Sequence, residues 1–175
     1  MTNLYRIIYS LSKSRYLIVS CHNNILHNIK LAVGKMPLHC LYNSSTTRNN
    51  IIAWLNAYFS GEILPINFSL DMSGISSFQK DVLYCICKIP PGETKSYRWV
   101  AKNIGRPMAV RAVGTALHKN PFPVVIPCHR VVRTDGRLGG FSAGTGWKRY
   151  LISLEQRIFN RQVNSVRSVA ADSPA

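Results

Sequence analysis

A cysteine and a histidine stand side by side in the stretch 126–132, which is otherwise mostly apolar. A free thiol has a pKa of about 8.5 and is mostly protonated at neutral pH, so a reactive cysteine needs a nearby base or positive charge. His129 and Arg130 could supply these to Cys128. Because neighbouring side chains of an extended segment point to opposite faces, we expect His129 to reach Cys128 through a bend or a water molecule. Cys128 is a candidate nucleophile, and the alternative is a buried packing cysteine.

The elements that must position Cys128 can be predicted from the periodicity of apolar residues and from the glycines and prolines that mark turns and helix ends. Ser96 is a good N-cap for one of the helices, and Pro107 suits the first position of the next. We predict helices over 78–86, 97–104 and 107–117, then a strand through Cys128, a glycine-rich loop over 138–144, and a helix over 147–158.

The third of these helices has features of a nucleic-acid-binding helix. Arg111 and Thr115 lie on one face, and a stripe of small side chains, Ala109, Ala112 and Ala116, would allow close approach to a phosphate backbone. Two short helices joined by a glycine turn form a helix-turn-helix pattern. A plain helical hairpin with an exposed arginine fits the pattern equally well.

The N-terminal part of the chain carries no recognisable chemistry. Short aromatic and β-branched runs predict strands over 4–9, 16–20 and 25–33, and helical spacing of apolar residues predicts a helix over 47–59. We therefore expect a structural α/β domain over 1–70 and a functional domain over 75–158. From residue 160 the chain is polar and small, and a disordered tail is expected over 160–175.

The charge of the chain points to a polyanionic partner. Lys and Arg number 22 against 7 Asp and Glu, a net charge of +15, and most of the excess lies after residue 70. The five cysteines are odd in number and irregularly spaced, which favours reduced thiols in an intracellular protein. No run is apolar enough for a membrane span, and pairs such as His39-Cys40 lack the spacing of a zinc site. We expect no membrane association and no metal.

Several motifs in the same order identify a family resemblance. Pro127-Cys128-His129-Arg130-Val131, preceded by Arg111-Ala112-Val113-Gly114 and Asn120-Pro121, resembles the O6-alkylguanine-DNA alkyltransferases, which repair DNA by direct reversal. The resemblance covers residues 75–157. It implies a mixed α/β (α+β) fold with a small RNase H-like N-terminal α/β domain and a mostly helical C-terminal domain of winged helix-turn-helix type.

The resemblance also implies a reaction. Cys128 would take the alkyl group from guanine O6, once only, and become S-alkylcysteine. His129 would act as a base through a water molecule and would be oriented by Glu155. Tyr97 would donate a proton toward the purine, and Asn120 would brace the turn before the cysteine. No cofactor is implied.

Substrate and DNA contacts follow from the same resemblance. Ser142 and the amides of its loop would hydrogen-bond O6, and a backbone carbonyl near Val131 would read the guanine amino group. Arg111 would enter the stack vacated by a flipped nucleotide. The implied partner is double-stranded DNA with an alkylated guanine, bound by a monomer in the cytoplasm, or in the nucleus of a eukaryote. The full set assigned to substrate is Ser142, Val131, Phe141, Gly139 and Pro123, and that assigned to DNA is Arg111, Ala109, Ala112, Thr115 and Tyr97.

Two rival functions stay open at this point. One is a non-catalytic protein that binds alkylated DNA and only flags the lesion, although such relatives usually replace the cysteine. The other is a cysteine hydrolase, which needs a base in direct contact with the sulfur and an oxyanion hole. A further departure concerns the pocket, because Phe141 stands where many members of the family have tyrosine.

Overall fold

The computed structural model describes residues 5–12, 14–22, 25–35, 46–62 and 64–171. The N-terminal unit is built on a sheet of three antiparallel strands, β1 (Tyr5–Ser10), β2 (Arg15–His22) and β3 (Ile25–Val33). A short strand, β4 (Ser69–Leu70), joins β3 in parallel after the helix α1 (Thr46–Ser60). The predicted order of three strands and a helix is therefore confirmed.

Strand β2 lies between β1 and β3 and is largely buried. Leu17, Val19 and Cys21 are buried on one face, and Tyr16 and Ser20 on the other face are buried as well. The helix α1 contributes Ile51 and Leu55, both buried, to the same core as Leu17.

The C-terminal unit consists mainly of four helices. Ser76 caps α2 and Ser96 caps α3, each accepting a hydrogen bond from a backbone N–H three residues on. The described elements after residue 75 are α2 (Ser77–Cys87), β5 (Lys95–Ser96), α3 (Tyr97–Asn103), α4 (Val110–His118), β6 (Val131–Val132) and α5 (Thr145–Ala171).

The two units share one core. Buried side chains of β2, β3 and α1 belong to the same continuous apolar cluster as those of α2, α4 and α5. A backbone hydrogen bond of 2.8 Å from the Ile29 N–H to the Pro121 carbonyl joins β3 to the segment that leads to Cys128. The N-terminal unit therefore packs directly behind the candidate nucleophile.

The prediction of a strand through Cys128 is wrong. Residues Cys128–Arg130 form a single 3₁₀ turn, and only Val131–Val132 are extended and pair with Lys95–Ser96. The Arg130 N–H donates to the Pro127 carbonyl at 3.0 Å, so the backbone is satisfied within the turn. This turn, rather than strand alternation, sets the directions of the side chains at positions 128 to 130.

Two helix boundaries also differ from expectation. The helix expected to begin at Pro107 begins at Val110, because residues 106–109 close a turn in which the Ala109 N–H donates to the Arg106 carbonyl at 2.9 Å. The last helix continues to Ala171, where a disordered tail was expected from residue 160. No proline or glycine follows Gly146 within it, so nothing in the sequence interrupts its backbone hydrogen bonds. Residues 172–175 of the expected tail lie outside the described residues.

Among the described residues, none of the helices is both long and apolar enough to cross a lipid bilayer.

Candidate active site

Cys128 lies at the start of the 3₁₀ turn and is 4% exposed. Its sulfur is the acceptor of a hydrogen bond from Nδ2 of Asn120, at 3.1 Å. Burial raises the pKa of Cys128 to about 11, although Asn120, the charge of Lys148 and backbone N–H groups act in the opposite direction. The resting side chain is therefore a neutral thiol, and a base must remove its proton before it can react.

Asn120 holds the segment that leads from α4 to Cys128. Its Nδ2 also donates to the Ile126 carbonyl at 2.9 Å, and its Oδ1 accepts from the Phe122 N–H at 3.0 Å. Val124, within this segment, is buried and has φ of 78°, a left-handed conformation that is unusual for a β-branched residue. These contacts fix the sulfur relative to α4.

His129 and Glu155 form a buried pair behind the cysteine. Nε2 of His129 lies 2.9 Å from Oε1 of Glu155, and the two side chains are 0% and 2% exposed. Burial lowers the pKa of His129 despite the opposing effect of Glu155, so the ring is neutral at pH 7.

Glu155 is held by more than His129. Arg130 donates from Nε and Nη2 to its two oxygens at 2.8 to 3.2 Å, the Gly92 N–H donates to Oε2 at 3.2 Å, and the Tyr58 hydroxyl donates to Oε1 at 2.8 Å. Burial alone would raise the pKa of Glu155. The hydrogen bonds and charges of His129 and Arg130 outweigh burial and hold that pKa well below its usual range.

The ionised carboxylate fixes the tautomer of the imidazole. A carboxylate only accepts hydrogen bonds, so the neutral ring must carry its proton on Nε2, which leaves Nδ1 as a bare acceptor. Nδ1 is buried and has no hydrogen-bond partner among the described residues. His129 therefore has a free basic nitrogen on the side away from Glu155.

An open cavity of about 680 Å³ lies in front of Cys128. Tyr97 at the start of α3, Leu117 on α4, and the loop residues Phe141 and Ser142 belong to its wall. The wall also includes Val110, Arg111, Gly114, His118, Arg133, Gly139 and Gly140. A volume of this size accommodates a drug-sized ligand, so a planar heterocycle with a substituent can enter it.

Lys148 is a buried cation beside this cavity. Its Nζ lies 3.4 Å from both the Tyr97 hydroxyl and the Gly140 carbonyl, and it sits over the Tyr97 ring, 5.5 Å from the centroid. Burial lowers the pKa of Lys148 to about 8, and the neighbouring Cys128 opposes this shift. Lys148 is thus mostly charged at pH 7 and favours negative charge on both Cys128 and Tyr97.

Gly139 allows the loop to approach Tyr97. Its φ is +69°, and a Cβ at this position would lie 3.0 Å from the Tyr97 hydroxyl oxygen. The neighbouring Gly140 has no heavy atom within 4 Å of the equivalent point. Glycine is required at position 139 by both backbone conformation and space.

The α4 helix presents an exposed face beside the mouth of the cavity. Arg111, Ala112 and Thr115 are exposed, and Ala109 precedes the first helical residue. Arg111 also lines the cavity, so a ligand bound to this face of α4 would be in contact with a ligand inside the cavity. Ala116, which the sequence suggested as part of an accessible stripe, is buried in the core instead.

The structure gathers most of the predicted site residues in one place. Cys128, Tyr97, Gly139, Phe141, Ser142 and Arg111 line the cavity, and Asn120, His129 and Glu155 support Cys128 from behind. Two predicted substrate residues do not line it. The Val131 side chain is buried in the core, and Pro123 lines a neighbouring open cleft that also includes Ser142.

Sequence reasoning missed two residues of this site, Lys148 and Tyr58, and assigned a third, Arg130, to a different partner. Arg130 was expected to act on the thiol, but it pairs with Glu155. Lys148 precedes Glu155 by seven residues, two helical turns, and this spacing could have placed both on one face. Tyr58 had no such signal, because it reaches Glu155 from α1 across the packing of the two units.

The part of the chain that the structure describes contains no group of three or more His, Cys, Asp or Glu side chains that could hold a metal ion. His39 and Cys40 lie outside the described residues.

Comparison with known proteins gives a consistent family. Residues 77–157 match the model of the 6-O-methylguanine DNA methyltransferase DNA-binding domain. A methylated-DNA--protein-cysteine methyltransferase of Methanosarcina barkeri is 45% identical over 102 residues, which cover 58% of this chain and 64% of the relative, less than two thirds of its length. The protein of that name from Mycobacterium bovis is 36% identical over 148 residues, which cover 80% of this chain and 86% of the relative.

Solved structures agree with the sequence matches. The crystal structure of Mycobacterium tuberculosis O6-methylguanine methyltransferase superposes with a TM-score of 0.70 at 34% identity, covering 90% of this chain and 94% of that one. A Mycobacterium tuberculosis OGT crystallised in complex with DNA gives a TM-score of 0.68 at 35% identity, covering 84% and 90%. These matches extend over both units, and the chain belongs to the methylated-DNA--protein-cysteine methyltransferase family.

Proposed function

We propose that this protein repairs DNA by transferring the alkyl group of O6-alkylguanine to Cys128 in a single turnover. The observation that carries the proposal is the position of the Cys128 sulfur. It faces a cavity large enough to admit a flipped-out base and is backed by a histidine whose free nitrogen can receive the thiol proton.

Activation of the thiol begins with proton removal. We place one water molecule between the Cys128 sulfur and Nδ1 of His129, and this water relays the thiol proton to the imidazole. The resulting imidazolium donates from Nε2 to Glu155, whose negative charge stabilises it. Asn120 and Lys148 stabilise the thiolate.

Transfer then proceeds by displacement at the alkyl carbon. The thiolate forms the S–C bond, the C–O6 bond breaks, and its electron pair stays on the guanine. Tyr97 gives a proton to the purine ring, and Lys148, 3.4 Å from that hydroxyl, stabilises the tyrosinate until it is reprotonated. A thioether sulfur has no ready leaving route, so the protein is consumed.

DNA is held by the exposed face of α4. The buried Cys128 cannot reach the alkyl group of a guanine that stays stacked in the duplex, so the nucleotide must flip into the cavity, at a cost of a few kcal/mol. Arg111, at the border between α4 and the cavity, fills the gap that the flipped nucleotide leaves in the base stack. Ala109, Ala112 and Thr115 allow α4 to approach the DNA groove closely. The net charge of +15 supplies salt-dependent affinity for any duplex.

Ser142 and the Gly139 amide bind O6 in this proposal, Phe141 forms part of the wall, and a carbonyl near Val131 reads the amino group. Pro123 borders the cleft next to Ser142, where a larger alkyl group could extend. The protein acts as a monomer without a cofactor, inside the cell where its DNA substrate is, and O4-alkylthymine is a second candidate substrate.

The proposal is tested by intact-protein mass spectrometry after mixing with a duplex that contains one O6-methylguanine. We expect a gain of one methylene per protein molecule, mapped to the peptide that contains Cys128 and absent in Cys128→Ala. Tight binding to the lesion duplex without any mass gain would instead favour the lesion-flagging protein. Repeated turnover of an ester or peptide would favour the hydrolase.

A further inference from the structure

The N-terminal helix α1 reaches the buried pair His129 and Glu155 through one side chain. The hydroxyl of Tyr58 donates to Oε1 of Glu155 at 2.8 Å and lies 3.4 Å from Nε2 of His129. Oε1 is the same oxygen that accepts from Nε2 of His129. The three side chains therefore meet at one carboxylate oxygen, although Tyr58 is separated from Glu155 by 97 positions in the chain.

The environment of Tyr58 keeps its proton on the oxygen. Burial, and then the negative charge of Glu155, raise the pKa of Tyr58 well above its ordinary value. The ring is stacked on Trp54, with centroids 5.5 Å apart, and is perpendicular to Phe59. Packing by two aromatic neighbours on α1 fixes the direction of the hydroxyl, so it acts as a preorganised donor to the carboxylate.

A second donor on Oε1 reduces the stabilisation that this oxygen gives to a protonated imidazole. Tyr58 and Arg130 neutralise part of the carboxylate charge, and the remaining charge stabilises a protonated His129 less. His129 must be neutral before it can accept the thiol proton, so this arrangement keeps the base available at lower pH. The other charged groups that act on the pKa of His129 are Arg130 and Lys148, and neither belongs to α1.

We propose that Tyr58 is a positioning residue of the transfer reaction, which through Glu155 sets the proton affinity of His129 and so extends the active range of the protein to lower pH. This inference rests on the proposed function, because it concerns the base that activates Cys128. It gives the N-terminal unit a part in the chemistry, although that unit carries no reacting group.

The test compares two single hydroxyl deletions, each of which removes one hydrogen bond between α1 and another element. Tyr58→Phe removes the bond from α1 to Glu155 of α5 and keeps the ring. Tyr9→Phe is the control, because the Tyr9 hydroxyl of β1 donates to Asn56 of α1 at 2.9 Å and not to Glu155 or His129. A general weakening of the packing of α1 would appear in both variants.

The first readout is the rate of methyl transfer from an O6-methylguanine duplex, measured in single turnover from pH 5 to pH 9. In Tyr58→Phe the acid limb of the profile moves to higher pH by about one unit, because one hydrogen bond to a charged acceptor is lost. On the acid limb, at pH values below the pKa of His129, this appears as a loss of up to about tenfold, while the maximal rate between the acid limb and the deprotonation of Lys148 stays near that of the unmodified protein. Tyr9→Phe leaves the limb in place.

The second readout needs no DNA and no transfer. Nitrogen-15 NMR of the labelled imidazoles follows the titration of His129, assigned with His129→Gln, and we expect the same upward shift in Tyr58→Phe. If Tyr58→Phe does not fold, 3-fluorotyrosine incorporated at position 58 serves instead. It is a stronger donor, and we expect it to move the titration downward.

Two results overturn the inference: an unmoved titration and acid limb in Tyr58→Phe, or a rate loss of equal size at every pH. Failure of the proposed function looks different. The unmodified protein would then not transfer the methyl group at any pH, and the NMR titration would still decide whether Tyr58 controls His129.

Discussion

Nε2 of His129 and Oε1 of Glu155 lie 2.9 Å apart in the interior of the protein, where both side chains are almost wholly excluded from solvent. This pairing fixes the imidazole tautomer and turns Nδ1 into the free base that Cys128 requires. The same carboxylate neutralises Arg130, which is also buried. In the proposed reaction, Glu155 therefore serves both the proton transfer and the stability of the fold through one side chain.

Glu155→Gln should lower both activity and stability. The amide cannot stabilise an imidazolium, so we expect the transfer rate to fall by about 100-fold, within the usual range for a lost acid–base contribution. Arg130 would lose its counter-charge, and we expect the free energy of unfolding to fall by roughly 3 kcal/mol. Single-turnover kinetics and urea unfolding measure the two effects.

The stability effect of Glu155→Gln should depend on pH in a defined direction. The folded pKa of Glu155 lies below its unfolded value of about 4.3, so its stabilising contribution is complete above about pH 5 and is lost as pH falls further. The difference in the free energy of unfolding between the unmodified protein and Glu155→Gln should be largest near pH 7 and should shrink below pH 4. Glu93→Gln is the control, because Glu93 is exposed and pairs only with Lys95. An equal loss in both variants would contradict the assignment.

Lys148→Met tests the buried cation. Methionine keeps the length of the side chain and removes its charge, so Cys128 and Tyr97 lose a stabilising neighbour and we expect roughly a tenfold slower transfer. Arg149→Met, at the exposed neighbouring position, should change the rate little. A variant as fast as the unmodified protein would show that Lys148 only packs against the Tyr97 ring.

Lys148 should also shape stability at alkaline pH. Its pKa is about 8 in the folded protein and about 10.4 for an unperturbed lysine, so the unfolded chain binds more protons between these values. The unmodified protein should therefore gain stability relative to Lys148→Met as pH rises from 8 to 10. Urea unfolding at several pH values measures this, and parallel curves for the two proteins would contradict it.

Most features that depend on residues close together in the chain could be predicted, and features that depend on residues far apart in the chain could not. The helices α2 and α3, the Ser96 cap and the three strands depend on local patterns, and sequence periodicity was sufficient for them. Cys128 and His129 were candidates from their residue types alone, whereas the pairing of His129 with Glu155 was assigned through the family resemblance, since nothing local brings positions 129 and 155 together. The 3₁₀ turn at Cys128 was missed because its short apolar run is equally typical of a strand.

Tyr58 could not be predicted for a related reason. At helical spacing from Trp54 it has the features of an ordinary core aromatic, and its hydroxyl finds Glu155 only after α1 packs against the C-terminal unit. Side chains that join two units depend on how the units dock, and no short pattern encodes this.

Gly139→Ala should disturb the loop over the cavity. The positive φ disfavours alanine by about 1–2 kcal/mol, and its methyl group would push against the Tyr97 hydroxyl. We expect a lower melting temperature and slower transfer. Gly140→Ala is the adjacent control, since a Cβ there meets nothing within 4 Å. Equal effects of the two substitutions would mean that the close approach to Tyr97 is unimportant.

Arg111→Ala tests how α4 engages DNA. A side chain that fills the vacated stack contributes only when a nucleotide is flipped, so its loss should weaken binding to an O6-methylguanine duplex more than binding to an undamaged one. Arg157→Ala removes the same charge from an exposed position of α5 and should reduce both affinities equally or not at all. Fluorescence anisotropy at several salt concentrations separates the two, because loss of a simple phosphate contact lowers the salt slope by about one. An Arg111→Ala variant that lost affinity equally for both duplexes would act as a phosphate ligand, and the stack would have to be filled by another residue.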